Sequence, residues 1–487
     1  MKLSGFLFAT LGIPSAAAAQ VEANLDERLP IDSLVTIGTL DNGVRYYIRQ
    51  NQRPENRAEL RLVLNAGSVL EDDDQRGLAH VVEHMAFNGT ESFPRQALVD
   101  YLEGIGMRFG PDVNAFTSFD ETVYELQVPT DSAVILETAF KILQEWAHKV
   151  TFDPEQVESE RGVVIEEWRL GRGARARMFD QQFPILFKDS HYAERLPIGT
   201  KDVLETFDHE ALKRFYRDWY RPDLMAVVAV GDFDPARIEE LIHEHFAQIP
   251  AHEMPRQRSI YPVPDHDETL IAIATDKEAT TSSVSLYYKQ ALREETSVGA
   301  YRRLIIERLY NSLLNARLFE LTQEADPPFL FGSSGQGRLI RSKEVYVMGA
   351  GVSEGGIERG LAALLTEAER VSRHGFTASE LERHKIELLR RMERAYAERE
   401  KTNSGAYTFE YVSNFLTGEP IPGVPLEYEL HKRFIPGIEL ADVNRLASEW
   451  LSDQNRVILV SAPEKEGVRV PEEATLLNTF VNVQASA

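Results

Sequence analysis

The 487-residue chain contains no cysteine. That excludes disulfides, thiolate-held zinc and cysteine nucleophiles, so any metal must be held by His, Asp or Glu. The chain also lacks a hydrophobic run long enough to span a bilayer, which takes about 20 apolar residues. The nearest approach is N-terminal, where Lys2 precedes an apolar run from Leu3 to Ile13 and then Ala16-Ala17-Ala18-Ala19. A basic start, a short apolar core and a small-residue end predict a secretory signal peptide over 1–19, cleaved near Ala19. The remainder is then exported, most simply to a bacterial periplasm, and does not span a membrane. Positive charge is scarce too: 53 Lys and Arg stand against 77 Asp and Glu, for a net charge of −24. So acidic a chain is unsuited to nucleic acid or an anionic membrane as its main partner. Otherwise the composition is that of an ordinary globular protein, 43% hydrophobic and 27% charged.

What is present converges on residues 77–90, Gly-Leu-Ala-His-Val-Val-Glu-His-Met-Ala-Phe-Asn-Gly-Thr. Within it, His80, Glu83 and His84 stand at i, i+3 and i+4, which on a helix is one face. Two imidazoles one turn apart can hold zinc, and the adjacent carboxylate can take a proton from a metal-activated water. This order, His-x-x-Glu-His, is the inverzincin one. The flanking Ala79, Val81, Val82, Met85, Ala86 and Phe87 suit a buried helix, and Asn88-Gly89 supplies its stop. A hydrolytic zinc needs a third protein ligand and one open position. Asp153-Pro154-Glu155 starts a helix that runs through Trp168 and carries Glu160, Glu166 and Glu167 among its acids. Glu160 and Glu167 lie two turns apart on one face, and Glu166 lies about 100° round from Glu167. Spacing alone leaves all three open as ligand.

The rest of the first half reads as short strands at 39–48, 59–70, 114–118, 122–128 and 225–230, with helices at 95–104, 135–150, 209–220 and 235–246. Residues 251–268, with Pro255, Pro262 and Pro264, read as a linker. Beyond it the order of elements begins again. Glu344-Val-Tyr-Val echoes Thr122-Val-Tyr-Glu, Phe376-Thr-Ala-Ser-Glu echoes Phe152-Asp-Pro-Glu-Gln, and Arg456-Val-Ile-Leu-Val echoes the strand at 225. The expected fold is α+β: two homologous domains from an internal duplication, at 25–250 and 269–470, each a mostly antiparallel sheet packed against helices. A flexible tail is expected over 471–487. The second copy has no His-x-x-Glu-His, and His384 and Arg391 stand at the places of Glu160 and Glu167.

In the motif at 77–90 and in Glu160-Arg-Gly-Val-Val-Ile-Glu-Glu167, the sequence resembles the pitrilysin-like inverzincin metallopeptidases. Asn114-Ala-Phe-Thr, Pro197-Ile-Gly-Thr200 and Tyr220-Arg-Pro-Asp support the likeness. The resemblance implies a zinc endopeptidase acting on peptides or unfolded segments, with one zinc per chain held by His80, His84 and Glu167. It implies Glu83 as general base and Glu160 as a supporting acid that does not touch metal. It also implies substrate docking as an added strand along Asn114 and Ala115. In the family a second, inactive domain contributes an arginine, with a tyrosine seven residues later. Arg317 fits the arginine, but position 324 is Glu, so the tyrosine is missing. Relatives with four such domains in one chain suggest pairing with a copy of itself or with another two-domain chain. The alternative is a non-catalytic or partner-dependent subunit of a heteromeric peptidase.

Overall fold

The structure is a computed structural model that describes residues 24–486. The expected signal peptide lies outside the described residues. Six strands build the first sheet: β1 (Thr36–Thr39), β2 (Arg45–Gln50), β3 (Arg57–Leu64), β4 (Val113–Thr117), β5 (Thr122–Pro129) and β6 (Met225–Gly231). They are ordered β1-β2-β6-β3-β5-β4, and every pair is antiparallel except β2 with β6. The hairpin between β1 and β2 turns at Asn42-Gly43, where Gly43 takes φ +103. Central β6, Met-Ala-Val-Val-Ala-Val-Gly, is buried throughout. Such a continuous apolar run marks a strand covered on both faces. The alternation over 59–70 predicts one strand, but it stops at Leu64. At Gly67 a Cβ would lie 2.4 Å from the Ser118 carbonyl oxygen, so the chain turns there into a short buried 3-10 segment.

Eight helices accompany this sheet: α1 (Leu78–Asn88), α2 (Ala97–Gly104), α3 (Ala133–His148), α4 (Pro154–Leu170), α5 (Ala174–Leu186), α6 (Lys201–Thr206), α7 (His209–Trp219) and α8 (Pro235–Phe246). The second half repeats the pattern. Its strands are β7 (Leu270–Asp276), β8 (Ser282–Gln290), β9 (Phe331–Ile340), β10 (Lys343–Val352) and β11 (Arg456–Pro463), ordered β7-β11-β8-β10-β9. That is the order of β2-β6-β3-β5-β4, with β7–β11 as the parallel pair. Its helices are α9 (Val298–Leu321), α10 (Ile357–His374), α11 (Ala378–Glu398), α12 (Ser404–Thr417), α13 (Val424–Phe434), α14 (Leu440–Trp450) and α15 (Glu473–Ser486). The expectation of a flexible tail at 471–487 is corrected by α15. Leu476, Phe480 and Val483 bury one stripe of it against the second core, in contact with α10. By position it repeats α8.

The two halves exchange helices. One face of the first sheet packs on α1, α3, α7 and α8, while the other, with Tyr47, Val63, Val123, Ala226, Val228 and Val230, is covered by α12 of the second half. Tyr47 Oη donates to Asn414 Oδ1 at 2.7 Å, and Arg49 donates to Tyr411 Oη at 3.1 Å and Asp32 at 2.6 Å. In return α5 of the first half lies on β7 and β11. There Gln182 donates to the Val460 carbonyl at 2.8 Å, and Arg177 grips Asp276 with two contacts of 2.6 and 2.7 Å. The resulting scaffold leaves α1 and α4 side by side on the first half, with edge strand β4 beside α1.

Candidate metal centre

Helix α1 is fixed at its start by a buried acid. The Glu71 carboxylate accepts the backbone N–H groups of Gly77 (3.0 Å) and Ala79 (2.8 Å), filling positions that would otherwise be orphaned at a helix N-terminus. Burial pushes Glu71 up to about 8, against the pull of those two N–H groups and of Arg195. Gly77 takes φ +104 and packs on Gly199, where a Cβ would meet backbone at 2.9 Å. Leu78, Ala79, Val81, Val82, Met85 and Ala86 point into the core, which leaves the His80–His84 face for α4. Helix α4 starts as its sequence predicts, with Asp153 accepting the N–H groups of Glu155 and Gln156 ahead of Pro154.

Across the two helices, donor atoms of His80, His84 and Glu167 all lie within 4.8 Å of one another. His80 Nε2 and His84 Nε2 are 3.2 Å apart, and the Glu167 oxygens lie 3.8 Å from the first and 3.4 Å from the second. Two nitrogens at zinc bonding distance and tetrahedral angle are spaced about 3.3 Å apart. The donor set therefore fits zinc, both in spacing and in its nitrogen and oxygen chemistry. Glu160 points elsewhere. Its Oε1 meets His84 Nδ1 at 2.7 Å and its Oε2 accepts from Asn88 Nδ2 at 2.7 Å, which fixes the imidazole so that Nε2 faces Glu167. His80 Nδ1 is buried with no hydrogen-bond partner among the described residues. Glu166 pairs with Arg169 at 2.7 Å on an exposed stretch of α4.

The charges follow from these contacts. Burial, and then the neighbouring His84, pull His80 down to about 4. Burial opposes charge on His84 as well, but hydrogen bonds to Glu160 and Glu167 outweigh it and lift that imidazole to about 10. The Glu167 carboxyl is held below its ordinary range, chiefly by His84. Glu83 lies buried next to this group, and burial pushes it up to about 7, near neutrality where a general base works best. Thr117 Oγ1 donates to Glu83 Oε2 at 2.5 Å, opposing that rise.

A pocket of about 540 Å³ opens here, lined by Glu83, His84, Asn88 and Glu160 and by Asn114 and Ala115 of β4. Six sequence-derived residues, His80, Glu83, His84, Asn114, Ala115 and Glu160, thus share one site with Glu167. Arg317 is not among them. Its guanidinium, on α9, donates to Glu380 at 2.7 and 2.9 Å and to the Gly375 carbonyl, within the second half. Sequence reading did not give Thr117, Asn88 and Glu71 their roles at the site. Asn88 had a signal, one turn beyond His84. Glu71 had none, being one acid among several in a loop.

Two α+β domains of one design, with a His-His-Glu triad on the first, define the metallopeptidase class built on the inverted His-x-x-Glu-His helix. The family model for insulinase (peptidase family M16) matches residues 46–172, and the model for the peptidase M16 inactive domain matches residues 206–388. The chain belongs to peptidase family M16. It is similar to a zinc protease PQQL-like protein of Arabidopsis thaliana, 37% identical over 88% of this chain and 42% of that protein. It is 30% identical to the probable zinc protease PqqL of Haemophilus influenzae, over 92% of this chain and 48% of that one. The chain thus spans about half the length of the curated relatives it matches. Among solved structures, the first half of the periplasmic protease PqqL from Escherichia coli superposes with a TM-score of 0.87 at 28% identity, over 94% of this chain and 98% of that one. Pitrilysin shares the fold at 16% identity and a TM-score of 0.69, over 95% of this chain and 50% of that one. Among the described residues no helix is long and apolar enough to cross a membrane.

Proposed function

We propose that the chain carries the zinc site of an exported endopeptidase that hydrolyses peptides or unfolded polypeptide segments. The observation that carries this reading is the donor triangle of His80, His84 and Glu167, with the buried carboxylate of Glu83 against it. When bound, one zinc ion supplies the Lewis acidity that brings water to a pKa near 7. Glu83 takes the proton from the attacking water and passes it to the leaving amine. Thr117 engages Oε2, which leaves Oε1 as the atom that receives the proton. Glu160 holds His84 in the tautomer that presents Nε2, and the free edge of β4 at Asn114 and Ala115 offers main-chain hydrogen bonds to an extended substrate. That mode gives affinity with little sequence preference, which suits a peptidase for varied peptides.

The test is Glu83→Gln, which should leave zinc content unchanged and lower peptide hydrolysis by about 10²–10⁴-fold. Full activity in a clean preparation of that variant would remove Glu83 from the role. A second reading is favoured by the engagement of Arg317 with Glu380 and by the share of its relatives that the chain spans. In it, turnover requires a second copy or another two-domain chain. Zinc bound without turnover, with activity restored on adding such a chain, would select it.

A further inference from the structure

The second half keeps the geometry of the metal site but has changed its chemistry. Ser312 Oγ meets His384 Nδ1 at 2.7 Å across α9 and α11, as His84 meets Glu160 at 2.7 Å across α1 and α4. Counting from these matched pairs, Arg308 stands where His80 does, four residues before Ser312. Asn311 stands where Glu83 does, and Arg391, seven residues after His384, stands where Glu167 does. The edge strand is repeated as well, since β9 lies beside α9 as β4 lies beside α1. Asn315 pins it through the Ser334 N–H and carbonyl at 2.6 and 3.0 Å.

These positions enclose an open pocket of about 1300 Å³, whose lining includes Arg308, Asn311, Ser312, Gln336, Arg391 and His431. On a chain of net charge −24, its wall carries two arginines and no carboxylate. On its other side Arg308 borders a pocket lined by Glu307, Glu419 and Glu427. Glu307 is already taken by Arg293, Arg303 and Gln336, and Glu419 feels the Arg308 charge without forming an ion pair with it. Glu387, on α11 one turn before Arg391, stays outside the lining and lies 3.7 Å from His384 Nδ1. Arg308 and Arg391 have no ion-pair partner among the described residues, and both are exposed to the pocket's solvent. Exchanging three metal donors for two cationic forks and a hydroxyl turns a cation site into an anion site. Planar guanidinium groups match a carboxylate in particular.

We propose that this vestigial site binds a carboxylate of an acidic peptide, held by Arg308 and Arg391 with Asn311 and Ser312 as neutral donors. The proposal rests on the reading that peptides are what this chain handles. Labelled decapeptides are titrated against the Glu83→Gln chain, with binding followed by fluorescence anisotropy at low salt. One peptide carries glutamates and an amidated C-terminus, a second carries glutamines and a free C-terminus, and a third has neither carboxylate. A carboxylate-bearing peptide should bind about tenfold or more tightly than the third, consistent with charge-assisted hydrogen bonds. Which of the first two does so tells a side chain from a chain end. Adding Arg308→Gln and Arg391→Gln should erase the difference while the melting temperature holds, and Arg383→Gln on the same helix should not. Equal binding of all three peptides, or a preference that survives the double substitution, overturns the proposal. Hydrolysis by the unsubstituted chain is measured separately, so a failed pocket leaves the zinc site standing.

Discussion

At the scale of single residues, the site depends on which atom of each acid faces the imidazoles. Spacing left Glu160, Glu166 and Glu167 open, because a 3.6-residue period says which face an acid occupies and nothing about the rotamer it takes. The contacts separate them: Glu160 on His84 Nδ1, Glu166 on Arg169, Glu167 towards both Nε2 atoms. Removing the second support of a metal-binding histidine typically costs 10–100-fold in affinity. Glu160→Ala should therefore weaken zinc binding by about that factor, and Glu167→Ala by more, both read by metal analysis after dialysis. The reverse ranking would make Glu160 the ligand. The contact of Thr117 with Glu83 was invisible in sequence because it depends on the pairing of β4 with β5, a tertiary fact. Its donated hydrogen bond lowers the Glu83 pKa, so Thr117→Val should raise it. The acid limb of kcat/KM should then move to higher pH by on the order of half to one unit. A limb that stays put or moves down would mean that the Thr117 hydroxyl does not tune the base.

At the scale of elements, the helices that carry chemistry were legible because their caps and apolar stripes are local. The termini of α4 follow from Asp153-Pro154, and α1 follows from its apolar flanks and Asn88-Gly89. Helix α15 was missed because its stripe of Leu476, Phe480 and Val483 makes sense only as the repeat of α8 against a core built elsewhere in the chain. Helix α12 was missed for a related reason: it is apolar on the side that meets a sheet of the other half. That contact has its own pH dependence. Burial, then Glu427, pushes Glu410 on α12 up to about 7, so the folded chain favours its protonated form. Its contribution is full below its ordinary value of 4.5 and fades as pH rises through about 7. Glu410→Gln should therefore raise Tm at pH 8 by about 2–4 °C, the shift that about 1 kcal/mol produces in domains of this size, and leave it unchanged at pH 4. An equal shift at both values would show that Glu410 does not titrate in this range.

At the scale of the molecule, the duplication was readable from echoes such as Glu344-Val-Tyr-Val, because strand order and hydrophobic pattern survive divergence. The exchange of α5 and α12 was not, since nothing in a helix's sequence says which of two similar sheets it will cover. It makes the stretch 251–268, which holds no helix or strand, a division of chain and not of core. A fragment ending at residue 268 would expose Tyr47, Val63, Val123, Ala226, Val228 and Val230, a contiguous apolar face. That fragment should aggregate or bind a hydrophobic dye, whereas co-expression with the remainder should recover a soluble complex. A monomeric, cooperatively folding fragment would show that α12 is dispensable.

The exchanged helices bear on how such a chain changes over generations. A duplicated domain that loses its metal ligands is ordinarily free to decay, since selection on its chemistry has ended. Here the copy without the triad supplies the back wall of the copy that has it, and receives a wall in return. Deleting either would strip the other of a face it cannot cover alone. The second half thus shelters its neighbour whatever its own chemistry, and the positions that match the metal ligands are not needed for that shelter.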